Sequence, residues 1–215
     1  DSRGAYMYGI ASRCARGPWR SIMFSGFVSR RGSLLGLLAV AAAAPFAASS
    51  RGASDSGCGL VVLTVGGLVG SPNRPPVDEK RDRFFQHNNL DFKQARTYTF
   101  ADLQALPQQT APVVEEGGAV LFKGPSLLDV LAAAKPASDA KTVRLSALDG
   151  YAAEIPLATV AEDGWVLAVE AGGNAFGIGD FGPLYTVRPL AAGEKRTNEE
   201  DAKWVFSLYY VELMP

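Results

Sequence analysis

Three short runs rich in β-branched and aromatic residues, 143–148, 151–155 and 165–171, are separated by the dipeptides Asp149-Gly150 and Asp163-Gly164. Asp-Gly suits tight turns because its glycine takes a positive φ at no steric cost. A chain punctuated this way folds into short strands and leaves no room for long helices. The pattern extends over the rest of residues 60–215. Residues 60–68 are β-branched and bounded by glycines, which predicts a strand entering a turn at Gly66-Gly67. Residues 71–83 carry Pro72, Pro75 and Pro76 ahead of mixed charges and read as a loop. A strand over 97–100 leads into a helix over 101–106, which Pro107 ends. Residues 113–122 form strand interrupted by the hairpin signal Glu115-Glu116-Gly117-Gly118, and 185–187 and 205–211 supply the last strands.

A second helix is predicted over 127–134. Ser126 is its cap, since a serine hydroxyl accepts a first-turn N–H, and Asp129 lies near the positive end of the dipole. Leu127, Leu128, Val130 and Leu131 are its expected core face. The body is therefore α+β, mainly β with two short helices and no internal repeat.

The formal net charge of −1 hides an asymmetry. Of 21 Lys+Arg and 22 Asp+Glu, residues 1–53 hold seven arginines, no lysine and one aspartate, about +6. Residues 54–215 keep 14 basic and 21 acidic side chains, about −7. A body this acidic does not favour nucleic acid, whose phosphates attract a basic face. A basic leader on an acidic body reads as a targeting segment. Arg30-Arg31 precede an apolar run over 34–48, short of the roughly 20 residues a membrane-spanning helix needs, and Pro45 suits a cleaved signal. The paired arginines resemble a twin-arginine export signal, with Ser33 where an aromatic is usual; an ordinary secretory signal is the alternative. Cleavage is expected between Ala47 and Ala53, giving a leader over 1–53, a domain over 54–215, a periplasmic location and no membrane insertion once the signal is removed. Residues 1–22 precede a natural start at Met23 and read as an over-extended start or a fragment. Of the two cysteines, Cys14 lies in the leader and Cys58 just beyond it, so a mature form holds one thiol and no internal disulfide. Asp55 stands where a lipobox needs an aliphatic residue.

Few side chains carry chemistry. His87 is the only histidine, in a polar loop without a second ligand at metal spacing, and any Ser-His-Asp triad would have to use it. Glu115 and Glu116 are adjacent, so on a strand they face opposite ways. The loop over 172–183 holds five glycines with Phe176 and Phe181, and Tyr185 and Arg188 follow. Its glycines let backbone approach a planar ligand, its rings can stack on one, and Arg188 can take an anionic tail. The plainer reading is a flexible hairpin whose glycines serve turns. Trp204 is expected in the core.

The ordered string Phe122-Lys123-Gly124-Pro125-Ser126-Leu127-Leu128-Asp129, Asp149-Gly150-Tyr151 with Ile155-Pro156, Gly182-Pro183-Leu184-Tyr185 with Arg188-Pro189, and Lys203-Trp204-Val205 resembles the molybdopterin-binding domain of the sulfite-oxidase family, and most its small stand-alone bacterial members. The resemblance covers about residues 60–213 and implies that family's α+β fold. It also implies pterin contacts at Asp149, Tyr151, Phe181, Gly182, Pro183, Tyr185 and Arg188. In that family one cysteine thiolate holds the molybdenum. The matching stretch here, 108–122, offers Thr110, Glu115 and Glu116 but no sulfur. No catalytic residue or metal ligand is therefore assigned. The expected function is that of an exported, non-catalytic protein binding a pterin without molybdenum, similar to periplasmic members that report a reduced pterin to a membrane-bound cyclic-di-GMP enzyme and so bias biofilm formation. Its partner is then the periplasmic domain of a membrane signalling protein. The alternative is a molybdenum oxidoreductase whose metal is held by the cofactor alone or by an oxygen of Thr110 or Glu115. A structural interaction domain with an empty pocket is the third reading.

Overall fold

The computed structural model describes residues 59–115, 118–190, 193–194 and 196–215. The expected leader, both cysteines and Glu116 lie outside the described residues, as does the side chain of Glu115. The first half of the chain runs β1 (Val61–Gly67), α1 (Arg83–His87), β2 (Arg96–Thr99), α2 (Phe100–Ala105), β3 (Gln108–Glu115), β4 (Gly118–Pro125) and α3 (Leu127–Ala134). The second half runs β5 (Thr142–Ala147), β6 (Ala152–Pro156), α4 (Leu157–Glu162), β7 (Val166–Ala168), β8 (Glu170–Ala171), β9 (Asn174–Ala175), β10 (Tyr185–Val187), α5 (Asn198–Asp201) and β11 (Leu208–Met214).

The larger sheet has the order β2-β1-β11-β5-β6, with β1 and β11 parallel and the other neighbours antiparallel. Residues 62–66 of β1 are buried without alternation, which accounts for the unbroken apolar run of a strand covered on both faces. The α3 helix packs into the core through Leu127, Val130, Leu131 and Ala134, the i, i+3, i+4, i+7 stripe. Leu128, expected in that stripe, is instead 40% exposed, because position i+1 turns off the buried face. The Ser126 hydroxyl accepts from the Leu128 N–H at 3.1 Å, as its sequence position predicts. Tyr98 ties β2 to this helix by donating to the Val130 carbonyl at 2.7 Å, and burial pushes its phenol up to about 12.

The β3–β4 hairpin turns where Glu115 faces Gly118, and β4 continues the smaller sheet through β8 to β9, while β7 pairs with β10. The single strand expected over 165–171 is broken into β7 and β8, yet both follow β4: Ser126 bridges Val166, and Lys123 faces Glu170. Between these points Gly124 lies against the Leu167 carbonyl, where any Cβ would collide. This close approach seats β7 directly on β4.

Among the described residues five short helices occur, not two. The unexpected three span four to six residues each, too short to display a helical period. His87 ends α1, exposed, instead of lying in a loop. Asp163-Gly164 closes α4 rather than a hairpin: Asp163 is its C-cap, and Gly164, at φ 66°, takes the left-handed conformation that commonly follows a helix. The last strand begins at Leu208, three residues later than expected. Among the described residues no helix is long and apolar enough to cross a membrane.

Candidate functional site

The glycine-rich loop between β9 and β10 closes on itself through hydrogen bonds. The Asp180 carboxylate accepts from the N–H groups of Gly177 at 3.1 Å and Gly182 at 3.0 Å, and the Gly182 N–H also donates to the Gly177 carbonyl. The Gly182-Pro183 bond that follows is cis. Beside this loop closure the Phe181 ring lies flat on Tyr185, centroids 4.9 Å apart and planes 4° from parallel. Phe122 of β4 meets Tyr185 edge-on at 5.6 Å and Phe181 at 6.2 Å, and Phe176 closes the group 5.8 Å from Phe181. Tyr185 is buried, whereas Phe181 is 44% exposed. The result is a fixed aromatic stack with one ring open to solvent, a surface on which a planar ring can stack.

A second group of contacts borders this stack. The Tyr185 ring meets Trp204 at 6.0 Å, and Trp204 carries the Arg196 guanidinium over its ring at 4.4 Å. Trp204 is buried, as expected, and among the described residues its Nε1 has no hydrogen-bond partner. Tyr151 donates its hydroxyl to the Ala202 carbonyl at 2.6 Å. Arg188 binds two carboxylates, Glu194 at 2.6 Å and Glu200. Burial disfavours the Arg188 charge, but the two carboxylates outweigh it and hold the guanidinium above its usual range. The Thr197 backbone N–H and Arg188 together hold the Glu200 carboxyl below the ordinary value.

The other side of the loop faces a cavity. Ile178 and Pro183 line an apolar hollow of about 310 Å³ together with Leu148, Phe84, Phe85 and Tyr209, and Arg74 stands among them. Arg74 is ion-paired to Asp82 at 2.5 Å and covers Phe85 at 4.8 Å. Burial raises the Asp82 carboxyl, yet the Asp78 N–H and Arg74 bring it below the ordinary range. A wider, more polar hollow of about 490 Å³ shares Arg74 and is walled by Asn73, Pro76, Asp78 and Arg81. None of the predicted pterin contacts lines it.

The oxidoreductase molybdopterin-binding domain model matches residues 75–210, well over half of the chain. The chain belongs to this family. No curated protein matches it. Among solved structures, the sulfane dehydrogenase SoxCD from Paracoccus pantotrophus is similar at 18% identity and a TM-score of 0.49. The match covers 70% of this chain and 37% of that one, so the chain spans little more than a third of that protein's length. By the family model, the strand-rich α+β architecture is the sulfite-oxidase-like molybdopterin-binding fold, and the domain is of the molybdopterin-binding oxidoreductase type.

The residues present meet the two halves of that cofactor differently. For the metal, residues 59–215 contain no cysteine, and among the described residues no three His, Cys, Asp or Glu are grouped to hold an ion. Thr110 is an exposed β3 residue opposite Lys123, far in chemistry from a thiolate. Residues 59–215 thus supply no thiolate for molybdenum, and Cys58 lies outside the described residues. For the pterin, the Phe181–Tyr185 stack offers a ring face.

Of the seven predicted contacts, the fold brings Phe181, Gly182 and Tyr185 together at the stack. Pro183 faces the apolar hollow instead. Asp149 is exposed and accepts from the Tyr151 N–H at 2.9 Å, stabilising its own turn. Tyr151 and Arg188 both engage the segment ahead of Trp204. Phe122 joins the site without being predicted there; its position in β4, two residues before the Gly124 that meets β7, is its one sequence signal. Arg74, Phe84 and Phe85 give no signal in sequence, because their cluster depends on a one-turn helix that begins where the predicted loop ends.

Proposed function

We propose that the protein is an exported, non-catalytic pterin-binding member of the molybdopterin-binding domain family. In this reading it binds a pterin without molybdenum and reports it to the periplasmic domain of a membrane-bound cyclic-di-GMP-metabolising partner. The observation that carries the reading is the half-exposed Phe181 ring stacked on buried Tyr185, with no cysteine anywhere in residues 59–215. A pterin ring stacks on Phe181, and the partner distinguishes loaded from empty protein because ligand and partner bias the same equilibrium. A fluorescence titration of the purified protein with a reduced pterin tests the first half. Capture of the partner's periplasmic domain with and without pterin tests the second. Saturable binding and pterin-dependent capture support the proposal; pterin-independent capture removes the sensor role, and no binding removes the function.

The family's oxidoreductase character favours a second reading, a molybdenum enzyme whose metal is held by the cofactor dithiolene alone. Stoichiometric molybdenum and dye-linked electron transfer would decide for it.

A further inference from the structure

Three side chains of the proposed pterin site are already in use by the chain itself. The Tyr151 hydroxyl is spent on the Ala202 carbonyl, the Arg188 guanidinium on Glu200 as well as Glu194, and the Tyr185 edge on Trp204. Glu200, Ala202 and Trp204 belong to one short stretch. Its helix α5 buries no residue. Its further ties are the Arg196–Asp201 ion pair at 3.0 Å and the Arg196 guanidinium over Trp204. A segment tied to the rest of the domain by ion pairs and by the Tyr151 and Thr186 hydroxyls on the Ala202 and Lys203 carbonyls, with no apolar burial before Trp204, sits at the low end of local stability. At its end the Trp204 Nε1 hydrogen is buried without a partner among the described residues, an uncompensated desolvation cost.

We propose that residues 196–203 are a built-in stand-in for the ligand. The Glu200 carboxylate and the Ala202 carbonyl hold on Arg188 and Tyr151 the places that an anionic group and an acceptor edge of a bound pterin take. Binding therefore displaces the segment. The inference rests on the pterin reading above and adds what moves: the acidic helix α5 leaves the site, so loaded and empty protein present different surfaces. Coupling is reciprocal, so weakening the segment's hold strengthens ligand binding.

Hydrogen exchange on the full protein, with and without dihydroneopterin monophosphate, tests this. Its companion is the Glu200→Gln variant, which removes the charge facing Arg188 while a glutamine still completes the helix cap. The expected result is faster exchange over 196–203 on binding, with β5 and β11 unchanged. Glu200→Gln should show that faster exchange without pterin and bind about fivefold more tightly or better. Binding by the variant alone also supports the stand-in, as a segment that closes the wild-type site. Pterin binding with exchange over 196–203 unchanged or slowed overturns the displacement and leaves the pterin reading standing, as does an affinity of the variant no higher than wild type. Binding by neither protein overturns both.

Discussion

Phe181 lies flat on Tyr185, and only one of the two rings can be reached from solvent: Tyr185 is buried among Phe122 and Trp204, while Phe181 covers it from outside. This inequality separates ligand binding from folding. Phe181→Ala removes the stacking surface at the cost of a half-exposed ring. It should weaken reduced-pterin binding by about 1–2 kcal/mol, roughly 5- to 30-fold, with little change in the unfolding midpoint. Tyr185→Ala would confound the two, since emptying a buried aromatic position costs about 3–5 kcal/mol of stability. Titration and urea unfolding of both variants check the contrast.

Gly124 and the Leu167 carbonyl fix how β7 sits on β4. Gly124→Ala places a methyl group against backbone that cannot swing aside. It should destabilise the domain by about 2 kcal/mol or more, read by urea unfolding. A variant as stable as wild type would show that the strands do not approach so closely.

Tyr210 is buried with its hydroxyl unpartnered among the described residues, pressed against Gly66, and burial raises its phenol above the usual range. An unmade buried hydrogen bond is a cost, so Tyr210→Phe should leave stability unchanged or raise it by about 1 kcal/mol. A loss of that size instead would reveal a hydrogen bond to the hydroxyl.

The Glu200–Arg188 contact should respond to acid. The Glu200 carboxyl is held below its ordinary 4.5 in the folded protein, so its contribution is complete above that value and is lost as pH falls through the lower folded one. Trp204 emission should be constant from about pH 7 to 5 and shift to the red only in acid below the ordinary glutamate range, as residues 196–203 leave the ring. A shift centred near neutrality would contradict this assignment.

How far the sequence reaches is visible at particular residues. Ser126 and the stripe of Leu127, Val130 and Leu131 were legible because cap and period are local. Leu128 was not, since a short helix does not say which side of its stripe faces the core. The α5 helix does carry a local sequence signal: Thr197 and Glu200 form a capping box, with the Glu200 N–H donating to Thr197 and the Thr197 N–H to Glu200. The glycine-rich loop was recognised as a place of interest, but its closure by Asp180 was not, because a side-chain clamp leaves no periodic trace. Arg188 was read as open to an anionic tail. Its two carboxylate partners lie 6 and 12 residues away, and the turn that brings them back exists only in the fold.

The most direct test of the central claim is elemental analysis for molybdenum together with fluorescence of the extracted pterin, on protein purified from its native host. The account predicts pterin in up to equimolar amount with no molybdenum. Stoichiometric molybdenum would contradict it and make the domain a metal-dependent oxidoreductase.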